Sequence, residues 1–506
     1  MKALKGLMVY IGIVLGSFVG LALILLCVMY FVPTFRIAGI GFVHERELIE
    51  EQVIDISGYS AYDDVVINLS STKVGVEVVP VEAEQITYDM KLGVFGLTTE
   101  IVEYEVLKSI TCENRVLQIF LTVTEPHGWM SMGNSCLTVK VPVQKEVGIV
   151  AKTDSGKIVI GNTDKSITIN DLNVTTDRGD LSLVNLGKGQ EEKSLTLNTM
   201  TLSTGSGTFD LTDIDNLTVL NTIKLMSRDG RFKFNKLYAS VNVTGNGVTI
   251  EAEQISCGEN GFSFVADNGM FDIGKLSSPV GAENTIIAEN ISKFEIDDIT
   301  GKTGIVTTYG DISIDELRDY TIIENENGDV DIVNAHDTII ITSKFGDIDV
   351  DAYYATGRFT NVKGEIEVNS MGEFADEYYT QINSVDGDVK VYNKVNRLLL
   401  TTTGRADVDI TFGRIKEDKV FQHKVNTSTQ GSCIVYMPTN TPDGTPLPAY
   451  GFLAKGIISG EIGIVITASE KRQYFPNSTY QAEAVNNCCF EFIGRIEFKG
   501  YTVNSN

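Results

Sequence analysis

Gly310-Asp-Ile-Ser-Ile314 opens a series of related segments that continues with Gly328-Asp-Val-Asp-Ile332, Gly346-Asp-Ile-Asp-Val350 and Gly364-Glu-Ile-Glu-Val368. Each segment begins 18 residues after the one before it. A fixed period of this length, filled with short alternating apolar stretches, indicates units that bury their apolar faces only by stacking on copies of themselves. The chain is therefore predicted to be a repeat protein, and its function is expected to lie on a long surface built from many units.

Looser copies of the motif extend the series in both directions, with spacings that drift between 17 and 28 residues. They begin at Gly156, Gly179, Gly207, Gly230, Gly247 and Gly269 on one side, and at Gly387 and Gly404 on the other. Such drift fits a coil whose strands stay in register while its turns vary in length. One copy is missing between Gly269 and Gly310, where Thr285-Ile-Ile287 and Phe294-Glu-Ile296 are expected to form a degenerate coil.

Each repeat has room for more than one strand. A coil of 18 residues at about 3.3 Å per residue has a perimeter of roughly 59 Å, enough for two or three short strands and their corners. Second strands are visible at Tyr320-Thr-Ile-Ile323, Thr338-Ile-Ile-Ile-Thr342 and Gly357-Arg-Phe-Thr360. The predicted fold class is all-β, a parallel β-solenoid with coils of about 18–25 residues whose strands alternate apolar residues inward and polar residues outward.

A competing solenoid, the left-handed hexapeptide helix of acyltransferases, has coils of the same length but needs an aliphatic residue at every sixth position. Steps of six from Ile312 reach Arg318 and Glu324, and steps of six from Val330 reach His336 and Thr342. The inward aliphatic period is absent, so the hexapeptide fold is excluded.

The N-terminal region is apolar from Leu7 to Val32, which is longer than the ~20 residues that a bilayer core requires. We expect an uncleaved transmembrane helix over 7–32, because the apolar stretch is too long for a cleaved secretory signal and no clean small-x-small cleavage site follows it. Lys2 and Lys5 precede this span. A short basic N-terminus predicts a single-pass membrane protein whose bulk is extracytoplasmic, in the cell envelope or at the cell surface.

The expected organisation follows the composition along the chain. It comprises a short cytoplasmic tail (1–6), a transmembrane helix (7–32), a juxtamembrane linker (33–64), an N-terminal β cap with the first coils (65–149), the repetitive β-solenoid (150–437), a proline-rich loop (438–450) and C-terminal coils or a cap (451–506).

The net charge of −26 and the pI near 4.6 exclude nucleic acid and anionic lipid as main partners, because both require a basic footprint. An acidic surface supports solubility and attracts divalent cations or basic polymers. The cysteines outside the apolar span are too few for a disulfide scaffold in a chain of 506 residues. A bridge between Cys112 and Cys136 and a pair of free thiols both remain open.

The sequence resembles the bacterial membrane-anchored putative-adhesin family, whose members carry a β-solenoid domain of unknown function. The similarity lies in Ile67-Asn-Leu-Ser-Ser-Thr-Lys-Val-Gly-Val-Glu-Val78, in Leu137-Thr-Val-Lys-Val-Pro142, and in the repeated Gly-Asp-Ile units between about Val150 and Gly431. The resemblance implies a solenoid architecture and a cell-envelope setting. It transfers no catalytic positions to this chain.

The most prominent candidate site is a column of acids that follows the motif glycines, formed by Asp311, Asp329, Asp347 and Glu365, with Asp388 less regularly placed. A second column contains Asp331, Asp349 and Glu367. Like charges stacked about 4.8 Å apart cost energy unless they are splayed or bridged, and calcium suits such oxygen ligands. We favour the alternative of solvated turns in which Asp caps the corner backbone, so no metal ligand is assigned.

Candidate catalytic residues are few. His44, His127, His336 and His423 are isolated and lack metal-ligand spacing. A polysaccharide lyase would combine a face of acids with a basic residue such as Arg318, Arg358 or Arg405. Sugar-binding platforms would use exposed aromatic residues such as Tyr309, the pair Tyr353 and Tyr354, or the pair Tyr378 and Tyr379, although corner packing is the simpler interpretation.

We therefore predict a membrane-anchored, non-enzymatic, adhesin-like scaffold or binding module, without a cofactor or catalytic residues, that presents a lateral face to an envelope polymer or a surface protein. The alternatives are an accessory protein in envelope-stress sensing and a β-helical enzyme that acts on polysaccharides.

Overall fold

The structure is a computed structural model that describes residues 14–25, 43–59, 62–95, 105–124, 135–162, 168–186, 193–371, 378–394, 397–413, 422–427, 431–440, 443, 489–493 and 496–502. The chain forms two compact units, unit 1 over Met1–Asp215 and unit 2 over Asn216–Asn506.

The N-terminal part of the described chain contains one α-helix, α1, over residues 14–25. It lies inside the predicted transmembrane span 7–32, and the remainder of that span falls outside the described residues. No helix among the described residues has both the length and the apolar character needed to cross a membrane.

The described residues of unit 1 form fourteen strands. They are β1 (Val43–Val53), β2 (Asp64–Ser70), β3 (Gly75–Val81), β4 (Thr87–Phe95), β5 (Glu105–Glu113), β6 (Val116–Thr124), β7 (Cys136–Pro142), β8 (Glu146–Thr153), β9 (Ile158–Gly161), β10 (Thr168–Thr176), β11 (Leu181–Val184), β12 (Ser194–Leu197), β13 (Thr199–Thr204) and β14 (Thr208–Asp210).

The strands of unit 1 stack in an order that differs from the chain order. β2 pairs in parallel with β6 on one side and β8 on the other, and β3 pairs in parallel with β7 and β9. The coil formed by β2 and β3 therefore lies between two coils that come later in the chain. The outer edges are covered by antiparallel strands, because β5 pairs with β6 and β4 pairs with β7.

The expectation of a juxtamembrane linker over 33–64 is wrong for residues 43–53, which form β1 and pair antiparallel with β4. The segment is rich in charged residues and breaks register twice along β4. Charges and irregular pairing are typical of edge strands that resist pairing with another chain. Backbone pairing at an exposed edge leaves little apolar alternation in the sequence, which explains why the strand was not predicted.

Unit 2 contains the remaining strands. They are β15 (Asn216–Ser256), β16 (Phe262–Ser277), β17 (Glu283–Thr300), β18 (Lys302–Tyr309), β19 (Ile312–Leu317), β20 (Thr321–Asn327), β21 (Val330–Ala335), β22 (Ile339–Phe345), β23 (Ile348–Tyr353), β24 (Gly357–Lys363), β25 (Ile366–Ser370), β26 (Tyr379–Asp386), β27 (Val389–Lys394), β28 (Arg397–Thr402), β29 (Val408–Phe412), β30 (Gln422–Asn426), β31 (Cys433–Asn440), β32 (Cys489–Ile493) and β33 (Ile496–Thr502).

Each motif repeat of unit 2 contributes two strands that face each other across a narrow core. The odd-numbered strands from β19 to β31 pair in parallel and form sheet A. The even-numbered strands from β18 to β30 pair in parallel and form sheet B. Ile312 aligns with Val330 and Val330 with Ile348, so the sequence period is the stacking register. The predicted all-β parallel solenoid is confirmed.

The degenerate coil predicted between Gly269 and Gly310 is present as β17. It pairs with β16 before it and with β18 and β19 after it. Ile286 and Ile296 are buried in its core. Ile291 stands in register with Gly269, and the register shifts by one residue directly after it, which is why the glycine signal disappears at this coil.

At the C-terminal end, β30 pairs with β32 and β31 pairs with β33, both in parallel. Of these strands, β32 and β33 lie within 451–506, the segment for which C-terminal coils or a cap were expected. The rest of that segment and most of the predicted proline-rich loop 438–450 lie outside the described residues.

Candidate functional site

The corner that leads from sheet B to sheet A, here called the glycine corner, explains the motif glycine. Gly310, Gly328 and Gly364 have φ angles of 122°, 133° and 123°, a region that residues with a Cβ rarely adopt. A Cβ on Gly328 would also lie 2.3 Å from the carbonyl oxygen of Gly310 in the preceding coil. Backbone conformation and close stacking therefore both require glycine here.

A buried polar side chain three residues before the glycine completes the corner. The Nδ2 of Asn325 donates to the carbonyl oxygens of Gly310 at 2.9 Å and Gly328 at 3.0 Å. Asn361 donates to the carbonyl of Gly364 at 2.6 Å. Buried backbone carbonyls need such partners, so a polar residue at this position is part of the fold and is not a binding residue.

The first acidic column forms a ladder with the backbone. The N–H of Asp329 donates to Oδ1 of Asp311 at 3.0 Å, and the N–H of Asp347 donates to Oδ1 of Asp329 at 2.8 Å. The N–H of Glu365 donates to Oδ1 of Asp347 at 2.6 Å. Each carboxylate thus holds the corner of the next coil, which supports the interpretation of these acids as corner residues.

A metal centre finds no support in the same column. Among the residues that the structure describes, no group of three or more His, Cys, Asp or Glu is arranged to hold a metal ion. In the ladder Asp311, Asp329 and Asp347 each accept a backbone N–H at Oδ1, so part of the acceptor capacity of each carboxylate is already used.

The second acidic column runs along the outer face of sheet A, where Asp331 aligns with Asp349 and Asp349 with Glu367. Burial raises the pKa of Asp331, with a further contribution from the neighbouring carboxylate of Asp329. Burial also raises the pKa of Asp349, followed by the effect of Asp351. This part of the face therefore concentrates negative charge.

One lysine pairs with acids in the coils before the column, and another pairs with the acid at its end. Lys293 lies 3.0 Å from Asp272 and 2.6 Å from Glu295 in the coils before it. Lys390 contacts Glu365 and lies 3.1 Å from Glu367, and these hydrogen bonds raise its pKa. The acids between these two lysines form the most negative stretch of the column.

A third column stands directly before the motif glycines and consists of Asn290, Tyr309, Asn327, Phe345 and Lys363, which align in register on five successive coils. We call it the aromatic–amide column. Tyr309 is 51% exposed and Phe345 is 46% exposed. Large aromatic side chains with this exposure are candidates for ligand contact, because they offer an apolar face that is still in water.

The structure separates the tyrosines proposed from sequence. Tyr353 is fully buried, donates or accepts a hydrogen bond with Thr380 and packs edge-on against Phe359, and burial raises its pKa to about 12. Tyr379 stacks with Arg358, whose guanidinium lies 5.3 Å from the ring centre. Tyr353 is therefore a core residue, as expected for corner packing, whereas Tyr309 remains an available platform.

Sequence reasoning missed Phe345. It occupies the position before Gly346 that Tyr309 occupies before Gly310, and the register places both in one column. The signal was present in the 18-residue period, but it concerns a position at which the residue type changes from coil to coil. The two rings are recognised as one column only when equivalent positions of successive coils are aligned, whatever residue type each position holds.

The opposite corner gathers five residues that looked unrelated in sequence. The rings of His336 and Tyr354 stack with centres 5.1 Å apart and planes 3° from parallel. Nε2 of His336 is hydrogen-bonded to Glu316 at 2.6 Å, and Nε of Arg318 donates to Asp298 at 2.8 Å. Ring stacking and these hydrogen bonds tie neighbouring coils together, so this corner is a structural network.

The other candidate residues are dispersed. Arg318 lies at this corner and Arg358 projects from sheet B beside Tyr379, whereas Arg405 acts on Asp407, whose N–H donates to Asp388 at 2.9 Å. The three arginines therefore do not share one site. His423 is fully buried, and burial lowers its pKa to about 3. His127 and the side chain of His44 lie outside the described residues.

The thiols of Cys112 and Cys136 are free, with Cys112 exposed. Burial raises the pKa of Cys136 to about 11, so this thiol is protonated and unreactive near neutral pH. The open question of a bridge between these cysteines is thus answered in favour of free thiols.

Comparisons with known proteins agree with this architecture. The family model described as Toastrack DUF4097 matches residues 62–414, which confirms the family resemblance found in the sequence. A crystal structure of a "putative cell adhesion protein" from Clostridium sporogenes is similar to this chain at 12% identity, covering 46% of this chain and 100% of that one, with a TM-score of 0.24. The curated proteins contain no match.

Proposed function

Because the chain belongs to the Toastrack DUF4097 family, we propose that it is a membrane-anchored, non-enzymatic binding module of the cell envelope or cell surface. In this proposal the apolar segment 7–32 anchors the chain, and a lateral strip of unit 2 binds an extended partner. We define this binding strip as the aromatic–amide column together with the first acidic column beside it.

The observation that carries the proposal is the register of exposed side chains. Tyr309, Asn327 and Phe345 occupy the same position on successive coils, and the carboxylates of Asp311, Asp329 and Asp347 follow two residues later in each coil. Stacked coils repeat at about 4.8 Å. Such a strip repeats aromatic or amide groups, each followed by an acidic group, from one coil to the next, which suits a partner that is itself extended and repetitive.

The dispersion of the basic residues supports a binding module rather than an enzyme. A lyase needs an acid and a base within reach of one substrate atom, whereas Arg318 is bound to Asp298 and Arg358 stacks on Tyr379. The acids of the strip are held in a ladder with the backbone. These arrangements favour a rigid recognition surface.

The test uses the full chain in detergent micelles and co-sedimentation with envelopes prepared from the producing cells. The variant Tyr309→Ala/Phe345→Ala removes the two exposed rings of the strip. Its matched control is Tyr238→Ala/Tyr354→Ala, which removes two rings that are each 36% exposed and lie outside the strip.

We expect the strip variant to weaken envelope binding about tenfold or more, since central aromatic anchors carry most of the energy of an interface, and the control to stay within about twofold of the native chain. Equal binding by the strip variant and its control would rule the strip out as the binding surface.

A further inference from the structure

The spacing of the two exposed rings specifies the kind of partner. Tyr309 and Phe345 are separated by the coil that carries Asn327, so their backbone positions lie two stacking steps apart, or roughly 9.6 Å. In an extended β-linked polysaccharide every second sugar presents the same face, and two sugar residues span a length close to this value. The apolar C–H face of a sugar packs on an aromatic ring in the same manner as other apolar groups.

Polar groups for sugar hydroxyls lie between and beside the rings. Asn327 uses one N–H to donate to the carbonyl of Thr308 at 3.1 Å, and an amide side chain has further donor and acceptor capacity. Asp329 and Asp347 use Oδ1 for the backbone ladder, and their second oxygens accept hydrogen bonds from hydroxyl or amine groups.

The charge of the neighbouring columns excludes one class of polymer. Asp311, Asp329 and Asp347 flank the rings, and Asp331 and Asp349 follow on sheet A. Negative surfaces repel polyanions and favour neutral or cationic ligands. Lys363 adds one cation to the strip beside Phe345, but the acids outnumber it. Anionic glycans are therefore disfavoured, whereas uncharged sugars and sugars that carry amines are compatible with the strip.

From these observations we infer that the binding strip recognises an extended β-linked polysaccharide of uncharged or amine-bearing sugars, with alternate rings seated on Tyr309 and Phe345 and the sugar between them facing Asn327. The inference rests on the proposed function and adds the chemical class of the ligand.

The experiment measures binding of the full chain in detergent micelles to insoluble chitin, cellulose, cross-linked chitosan and cross-linked pectate. The variants are Tyr309→Ala/Phe345→Ala, Asn327→Ala and the control Tyr238→Ala/Tyr354→Ala, each checked by circular dichroism for an unchanged β-sheet spectrum. All three replace exposed or half-buried groups, so the fold is expected to persist.

We expect binding to at least one neutral or cationic polymer and none to pectate. The double strip variant should lose binding about tenfold or more and Asn327→Ala about threefold, while the control stays within about twofold. No binding to any of the three neutral or cationic polymers overturns the inference, as does binding that the strip substitutions leave unchanged or a preference for pectate.

Envelope co-sedimentation separates the two proposals. If the strip variant loses envelope binding while every purified glycan fails, or if protease treatment of the envelopes removes the interaction, the glycan assignment is overturned and the binding module stands. If the strip variant binds envelopes as well as the native chain does, the proposed function fails.

Discussion

Replacement of Lys394 by methionine is expected to stabilise unit 2 in a pH-dependent way. Lys394 ends β27, stands in register with Phe412 and is 1% exposed. Burial lowers its pKa from 10.5 to about 7, because a charged amine is poorly solvated in an apolar core. His423, whose ring centre lies 4.8 Å from that of Phe412, adds a second buried basic group nearby.

The sign follows from the direction of the pKa shift. The unfolded chain holds the lysine proton up to about pH 10.5, whereas the folded chain releases it near pH 7. The buried amine therefore lowers the free energy of unfolding by its full amount below pH 7, and this loss of stability shrinks as the pH rises toward 10.5. The difference between 10.5 and about 7, at ~1.36 kcal/mol per pKa unit, gives about 5 kcal/mol as an upper bound.

The assay is urea unfolding followed by circular dichroism at pH 6, 7.5, 9 and 10 for the native chain, Lys394→Met and the control Lys344→Met. Methionine keeps most of the apolar stem and removes the charge. We expect Lys394→Met to raise the free energy of unfolding by about 2–5 kcal/mol at pH 6 and by little at pH 10. Lys344 is exposed in a pair with Glu326, so its replacement should change stability by about 0.5 kcal/mol or less. Parallel pH profiles for the native chain and Lys394→Met would refute the reasoning.

Other substitutions test the glycine corner. Gly328→Ala should destabilise the protein by about 1–3 kcal/mol, because it places a Cβ at positive φ against the carbonyl of the preceding coil. Gly304→Ala, at a site with open space for a Cβ, should be neutral or stabilise the protein by about 0.4–1 kcal/mol. Similar urea midpoints for the two variants would contradict this account. Asp329→Ala should cost about 0.5–1.5 kcal/mol by removing the acceptor of the Asp347 N–H, and Asp329→Asn, which keeps an acceptor, should recover most of the loss in the same assay. A calcium chelator should leave the thermal midpoint unchanged; a fall would revive the calcium interpretation of the acidic column.

The 18-residue period was sufficient to predict the architecture of β18 to β25. It fixed the core positions, because Ile312, Val330, Ile348 and Ile366 are all fully buried. It also predicted that the acids after the motif glycines are corner residues, which the backbone ladder supports. In this part of the chain, the local turns and the stacking of the coils require the same residues, so each repeat carries the same evidence for the fold.

The period was less informative wherever stacking constrains only the backbone. β1 and the antiparallel cap carry no motif, since edge pairing is satisfied by almost any side chain. Ile291 replaces the motif glycine where the register shifts by one residue. The contact between His336 and Tyr354, and the alignment of Tyr309 with Phe345, arise from positions that share register but not residue type.

The order of stacking in unit 1 has a consequence for how the chain reaches its native state. The strands β2 and β3 are made before β6 to β9, yet they are sandwiched between them. The coil of β2 and β3 is therefore an interior layer, and the strands on both of its sides are synthesised after it. Deletion of this segment would not shorten the stack from its end. It would instead remove the layer with which the strands of both flanking coils pair.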